Sequence, residues 1–326
     1  MGDIDLSVLI LSWNTRDMTL ACLRSLARDA PRRPREIIVV DNGSEDGSAD
    51  AVARDFPDVR LIANPDNRFY SGGNNQAAAA AAGRHLCLLN SDTEVTPGAL
   101  DTMVDWLEAH PAYAGVAPKM LDFDGSIQPA CSRLMGILNP LCDSTSLGRF
   151  PPGSWIRART RMADFDHLES RDVEQPCTSA LVIRADDFHR VGGFDPRLLV
   201  FFTDVDLCRR LLKRGRRLRY LADVAVYHHL GGSTQRSPQR SILWLRDRNA
   251  YYRKHYGAAG DLFMRAVLWL YAAELIARIK LGPRRGEQER NAVREVLDEV
   301  RAVAATRDPV PVPSYGHHGA ATPDRG

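Results

Sequence analysis

Residues 6–14 read LSVLILSWN: a short apolar run that ends abruptly at Ser12, Trp13 and Asn14. A strand with one wet face alternates apolar and polar residues. A run without that alternation suits a strand covered on both faces, as in a parallel sheet. Outward from it, residues 16–28 show helical spacing through Met18, Leu20, Cys22, Leu23 and Leu26. Residues 37–40 (IIVV) form a second β-branched run that ends at Asp41. A short helix at 48–56 and a third strand at 59–62 follow. Residues 75–82 are Ala-rich and close at Gly83, which predicts a helix with Asn as its cap. Residues 85–89 read as a fourth strand, ending in Asn90-Ser91-Asp92. Thr96 is placed to cap the next helix, with Pro97 in its first position and its end near His110. Strand and helix alternate throughout, so the chain is α/β with a doubly wound, mostly parallel sheet.

The second half is more mixed. Residues 122–175 are poor in periodicity and rich in Pro, Gly, Asp and Arg, which predicts a long loop region that orders with a ligand. A strand at 178–183, a helix at 203–214 stopped by Gly215 and a strand at 224–227 ending at His228 follow. Helices are expected at 240–256, 261–281 and 286–305, and disorder in the Pro/Gly/His-rich tail. The expected division is a catalytic α/β unit at 1–236, a helical extension at 237–306 and a tail at 307–326.

Composition narrows the function. The 326 residues are 44% hydrophobic and 26% charged, ordinary for a globule. Forty-three basic against 41 acidic residues leave a net charge of +2, with no global drive toward nucleic acid. None of the six cysteines forms a C-x-x-C pair, which fits a reducing, cytoplasmic compartment. MGDIDLSVLI lacks a basic n-region and a small-residue cleavage site, so no secretory signal is expected.

In an open parallel sheet, ligands bind beyond the carboxyl ends of the strands. Three runs put polar residues there: Ser12-Trp13-Asn14, Asp41-Asn42-Gly43-Ser44 and Asn90-Ser91-Asp92. Asp-Asn-Gly alone is an ordinary turn sequence; all three at one sheet edge point to a site. Neither G-x-G-x-x-G after the first strand nor a P-loop is present.

The segments SVLILSWN, VVDNGSEDGS, NPDNRFYSGGNN, LLNSDTEVTPGAL, CTSALVIRADDFHRVGGFD, FFTDVDLCRRLLKRG and VYHHLGGST carry a family likeness over residues 5–235. In them the chain resembles an inverting, family-two glycosyltransferase of the GT-A fold, of the bacterial rhamnosyltransferase-like branch. The resemblance implies a GT-A sheet with a C-terminal helical extension, and a nucleoside-diphosphate sugar as donor. It implies that Asp41 bonds the base, that Ser12 and Asn14 line its pocket, and that Asn74, Asn75 and Ser91 contact the donor. Asp92 would hold a divalent cation alone or with His228, Mn2+ or Mg2+ by ligand type. Asp204 would be the general base and Asp195 an acceptor contact. Two positions depart from the family pattern: Asn90 and Thr203 each stand where it has a carboxylate. Each motif also has a plain structural reading. Asn74 and Asn75 suit a helix start, Thr203 to Asp206 an N-terminal capping variant, Gly192 to Asp195 a turn, and His228 a structural histidine. Asp206 is expected to be structural.

The implied reaction is sugar transfer, with dTDP-rhamnose as a candidate donor and a saccharide or lipid-linked saccharide as acceptor. The rivals are a nucleotidyltransferase that makes nucleotide sugars and a non-catalytic binding module on the same fold. The basic run from Arg209 to Arg219 reads as a solvated helix face or as an attractor of anionic lipid. Residues 262–281 contain Arg265, Glu274 and Arg278, too charged for a clean membrane span. They suit either packing on protein or a helix lying in a membrane interface, with Glu274 and Arg278 able to pair. The expected location is the cytoplasm, peripheral at the inner face of the membrane. Oligomeric state is left open.

Overall fold

The computed structural model describes residues 4–229 and 240–281, together with 294, 296–298, 300 and 301. Strands β1 (Leu6–Ser12), β2 (Arg35–Asp41), β3 (Arg60–Ala63) and β4 (His85–Asn90) are parallel, in the spatial order β3-β2-β1-β4. Helices α1 (Arg16–Arg28), α2 (Ser48–Asp55) and α3 (Phe69–Ala80) connect them. The order reverses at β1, so the switch point lies between β1 and β4. The absence of alternation in β1 has its expected cause. Val8 and Ile10 pack with Leu20, Leu23 and Leu26 of α1 on one face, and Leu9 packs with Ala77 and Ala78 of α3 on the other.

The sheet then becomes mixed. After β5 (Thr93–Val95) and α4 (Ala99–Ala109) come β6 (Tyr113–Leu121), β7 (Ile127–Gln128) and β8 (Cys131–Ser132). An irregular strap follows, built from α5 (Asn139–Ser144), a 3-10 turn (Ser146–Arg149) and α6 (Gly153–Thr160). The chain returns through β9 (Arg171–Asp172) and β10 (Gln175–Pro176) to β11 (Ala180–Arg184), α7 (Ala185–Arg190), α8 (Thr203–Lys213), β12 (Arg217–His228) and α9 (Arg240–Leu281). β11 enters antiparallel between β4 and β6, and β12 lies parallel to β6 and antiparallel to β5.

Several expectations change. α3 begins at Phe69, so Asn74 and Asn75 lie inside the helix rather than at its cap. α4 begins at Ala99 behind Gly98 (φ 74°), because the Thr96 hydroxyl donates instead to the Ala225 carbonyl at 2.7 Å. The expected loop at 122–175 contains the strap and four short strands. The basic run is not one helix face. Arg217 and Arg219 lie in β12 and pair with Asp172, Arg216 pairs with Asp187, and Arg210 with Asp206. The two helices expected at 240–256 and 261–281 are the halves of α9, which meet at Gly257 (φ 64°), a conformation glycine adopts freely. Glu274 accepts from the Ser146 backbone N–H and hydroxyl, both at 2.9 Å, and so ties α9 to the strap. Among the described residues, no helix is long and apolar enough to cross a membrane. The expected boundary at 236/237, most of the helix at 286–305 and the tail at 307–326 lie outside the described residues.

Candidate active site

At the switch point a cleft of about 280 Å3 opens over the carboxyl edge of the sheet. One wall comes from the ends of β1 and β4: Leu11, Trp13, Asn90, Ser91 and Asp92. Cys177 to Ser179, Tyr70 and the residues Val200 to Asp204 complete the lining. Asp92 and Asp204, distant in sequence, therefore face one cleft.

Asp204 sits in the first turn of α8, where the helix dipole favours a negative charge. Its Oδ1 accepts from the Val205 N–H at 2.8 Å and its Oδ2 from Gln175 Nε2 at 2.9 Å. Burial pushes its pKa above the ordinary carboxylate value, against the lowering effect of those bonds. The neighbouring Thr203 hydroxyl donates to the Val200 carbonyl, a packing role. Asp206 is structural as expected: it is fully buried and bonded to Arg210, Lys254 and His255 at 2.6–2.7 Å.

The register of β12 on β5, with His228 opposite Thr93, brings His228 beside Asp92. His228 Nε2 lies 3.5 Å from Asp92 Oδ1. Its Nδ1 lies 2.9 Å from Gln128 Oε1. Gln128 Nε2 donates to Asp122 Oδ1 at 2.6 Å and to the His228 carbonyl at 2.7 Å, which fixes the orientation of the amide. Its oxygen therefore faces Nδ1 and favours the tautomer protonated there. Nε2 then presents its lone pair toward Asp92. Among the described residues no group of three or more His, Cys, Asp or Glu side chains forms a metal cluster. Asp92 and His228 are a pair.

Asp41 is buried at the edge of the sheet in register with Ser12. Its Oδ1 accepts from the Ser44 N–H at 2.9 Å, while the buried Oδ2 has no hydrogen-bond partner. Such an orphan is costly unless a ligand supplies a donor. Asn14, at φ 52°, holds the loop after Asp41. Its N–H donates to Ser44 Oγ at 2.9 Å, and its Oδ1 accepts from the Glu45 N–H at 2.8 Å.

Four of the expected contacts are engaged elsewhere. Ser12 is wholly buried, within hydrogen-bond distance of the Thr15 and Thr19 hydroxyls at 3.2 and 2.9 Å, and does not reach the cleft. Asn74 donates to the Tyr70 carbonyl one turn back at 2.9 Å. Asn75 grips the Phe194 backbone from both ends, Nδ2 to the carbonyl at 2.8 Å and Oδ1 from the N–H at 2.9 Å. A Cβ at Gly193 would lie 2.6 Å from Asn75 Oδ1, which explains the glycine there. Asp195 pairs with Arg197 and Lys254, both at 2.7 Å, and is not among the residues lining the cleft. Ser91 does line it, with its hydroxyl 3.0 Å from that of Thr15. Asn90 donates to Ser179 Oγ at 3.0 Å, and both line the cleft. Gln128 and Gln175 escaped the sequence reading because both lie in the aperiodic stretch, where glutamine carries no signal.

A parallel half-sheet, an antiparallel strand inserted beside β4 and a cleft at the switch point define the GT-A fold. Solved structures share that fold. A mannosyltransferase, PcManGT from Pyrobaculum calidifontis, solved with GDP-Man and Mn2+, superposes with a TM-score of 0.54 at 17% identity over 92% of this chain and 85% of its own. GalNAc-T7, solved with UDP, GalNAc and Mn2+, gives 0.55 at 15% identity over 91% and 55%.

The family model for glycosyl transferase family 2 matches residues 7–152. An N-acetylglucosaminyl-diphospho-decaprenol L-rhamnosyltransferase of Mycobacterium tuberculosis is 31% identical over 223 residues, 64% of this chain and 71% of the relative. The O-antigen biosynthesis protein RfbC of Myxococcus xanthus is 27% identical over 296 residues, 88% of this chain and 22% of the relative. The chain belongs to glycosyl transferase family 2 and is rhamnosyltransferase-like. That membership sets aside the nucleotidyltransferase reading.

Proposed function

We propose that the protein transfers L-rhamnose from dTDP-rhamnose, with inversion, to a saccharide or lipid-linked saccharide acceptor in cell-envelope polysaccharide synthesis. It would act at the inner face of the cytoplasmic membrane. The observation that carries the mechanism is that Asp92 and Asp204 line one cleft. The choice of sugar and acceptor draws on the name of the mycobacterial relative.

Asp92 and His228 fit a divalent cation: one hard oxygen donor and one imidazole lone pair, 3.5 Å apart, with the imidazole backed by Gln128. The carboxylate suits Mg2+ or Mn2+, and the imidazole tilts the pair toward Mn2+. When bound, the cation would stabilise the negative charge on the departing diphosphate. The unpartnered Asp41 Oδ2 is suited to accept an N–H from the base, on a loop that Asn14 holds still. Ser91 and Trp13 would line the donor's path through the cleft.

The acceptor hydroxyl oxygen bonds to the anomeric carbon as its proton passes to Asp204. The bond from that carbon to the diphosphate oxygen breaks, and its electron pair leaves with the nucleoside diphosphate. One displacement from the opposite face inverts the centre. Burial strengthens Asp204 as a base, which brings it nearer the operating pH.

The test is nucleoside diphosphate release from a panel of dTDP-, UDP- and GDP-sugars, with and without Mn2+, in the presence of a polyprenyl-diphosphate-linked saccharide. Release confined to dTDP-rhamnose with metal is expected. Equal release from other donors would refute the sugar assignment, and full activity in chelator would refute the cation.

A further inference from the structure

The geometry points to an anionic lipid bilayer as the partner of the strap and of the outer stripe of α9. What that seat delivers to the cleft rests on the acceptor reading above. The strap exposes large side chains that a soluble surface has no reason to show. Phe150 is 66% exposed and Trp155 68%, with Leu147 beside them. Arginines are interleaved: Arg149, Arg159 and Arg161 are exposed, while Arg157 pairs with Asp143, the one acidic residue of the strap, at 3.6 Å. On α6, Trp155 and Arg159 are one turn apart, and both are exposed. Aromatic and aliphatic side chains mixed with arginine suit a membrane interface, where the rings enter the headgroup boundary and the guanidinium groups meet phosphate.

The second half of α9 supplies a matching stripe. Leu262, Ala266, Trp269, Leu270, Ala273 and Ala277 are all exposed, at the spacing of one helix face, with no charge among them. The opposite face buries Met264, Val267, Leu268 and Ala272. Glu274 lies one turn from both Leu270 and Ala277. Its bonds to Ser146, the residue before Leu147, join stripe to strap.

The arginines decide between occupants. A second copy seated strap to strap would set one arginine cluster against another, whereas anionic headgroups complement it. The strands that flank the strap, β8 and β10, pair with each other. The strap leaves from β8 and returns to β10, where the Ser132 hydroxyl donates to Gln175 Oε1 at 2.9 Å. Gln175 in turn holds Asp204. A bilayer touching the strap is therefore linked to the base through one glutamine.

The experiment is co-sedimentation of the full chain with phosphatidylcholine vesicles, with and without phosphatidylglycerol. Two double variants are compared, Phe150→Ser with Trp155→Ser and Arg149→Gln with Arg159→Gln. All four positions are exposed, and none belongs to the donor or catalytic machinery. Wild type should bind the anionic vesicles in a salt-sensitive way. The aromatic pair should weaken binding about tenfold or more, and each lost arginine about fivefold. Melting temperature and donor-nucleotide binding should be unchanged. Wild-type binding to neutral vesicles as tight as to anionic ones, equal binding by the variants, or a dimer in sedimentation velocity that the aromatic pair dissolves would overturn the inference. Normal vesicle binding by a protein that transfers only to a soluble acceptor would leave the seat standing and refute the lipid-linked acceptor.

Discussion

The amide of Gln128 is engaged at both ends, and its orientation decides which imidazole nitrogen of His228 is free. Replacing Gln128 by Leu removes the acceptor for Nδ1 and lets the ring change tautomer. Mn2+-dependent nucleotide binding, measured by calorimetry, should fall by about 10–100-fold, while metal-free nucleotide binding stays the same. Asp92→Ala should remove the metal dependence of binding outright, read in the same titration. Asp204→Asn keeps the shape of the cleft and can still accept the Val205 N–H or the Gln175 amide with its one oxygen, but loses the proton acceptor. Turnover should fall by about 10²–10⁴-fold with donor affinity retained. Retained turnover would remove Asp204 from its role. Wild-type activity should decline on acidification at a pH above the ordinary carboxylate value of 3.8, because burial raises Asp204 and the base must be ionised. A pH–rate profile reads that limb directly.

At the scale of elements, β1, β2 and β4 were legible because unbroken apolar runs mark strands covered on both faces. Their polar ends mark the edge where Asp41 and Asp92 stand. α1 was legible from its apolar spacing. The start of α3 was not, because two asparagines before an Ala-rich run read as a helix cap, whereas Asn74 and Asn75 lie inside the helix and use their amides on Tyr70 and Phe194. The strap was not legible either, because short elements held by side-chain bonds leave no periodicity. Nothing in the sequence indicated that α9 builds the cleft. Asp247 on α9 is wholly buried and accepts the backbone N–H groups of Leu199, Val200 and Phe201 at 3.1, 2.8 and 2.9 Å. Val200 and Phe201 line the cleft. Asp247→Ala would leave three N–H donors without a carboxylate, at about 1–3 kcal/mol for each that water does not reach. A lower melting temperature and a raised acceptor KM, with donor affinity unchanged, should follow. Equal loss of donor and acceptor affinity would argue for general unfolding instead.

At the scale of the whole molecule, one ionic knot holds α9 to α8 and the loop before it. Lys254 Nζ on α9 lies 2.7 Å from Asp195 and 2.6 Å from Asp206, and His255 Nε2 lies 2.7 Å from Asp206. Burial alone would raise both carboxyls. For Asp195 the bonds from Arg197 and Lys254 outweigh it, and for Asp206 those from His255 and Lys254 with the charge of Arg210, so both pKa values lie below the ordinary 3.8. A depressed carboxyl adds stability above its unfolded value, and that contribution is lost as pH falls through the folded value. Asp204 and Asp247 are raised by burial and act oppositely: their protonation favours the folded state as pH falls toward 3.8. The knot therefore contributes in full near neutral pH, and the pH dependence it adds lies at the acid end of the stability curve. Lys254→Met removes the shared cation and leaves buried Asp206 with Arg210 and His255 as its remaining partners. Breaking a buried pair in this way should cost about 3–5 kcal/mol near neutral pH, read by denaturant unfolding. The deficit should shrink as the carboxyls protonate on acidification. A pH-independent deficit would mean that the Lys254 stem, through packing, rather than its charge, joins α9 to α8.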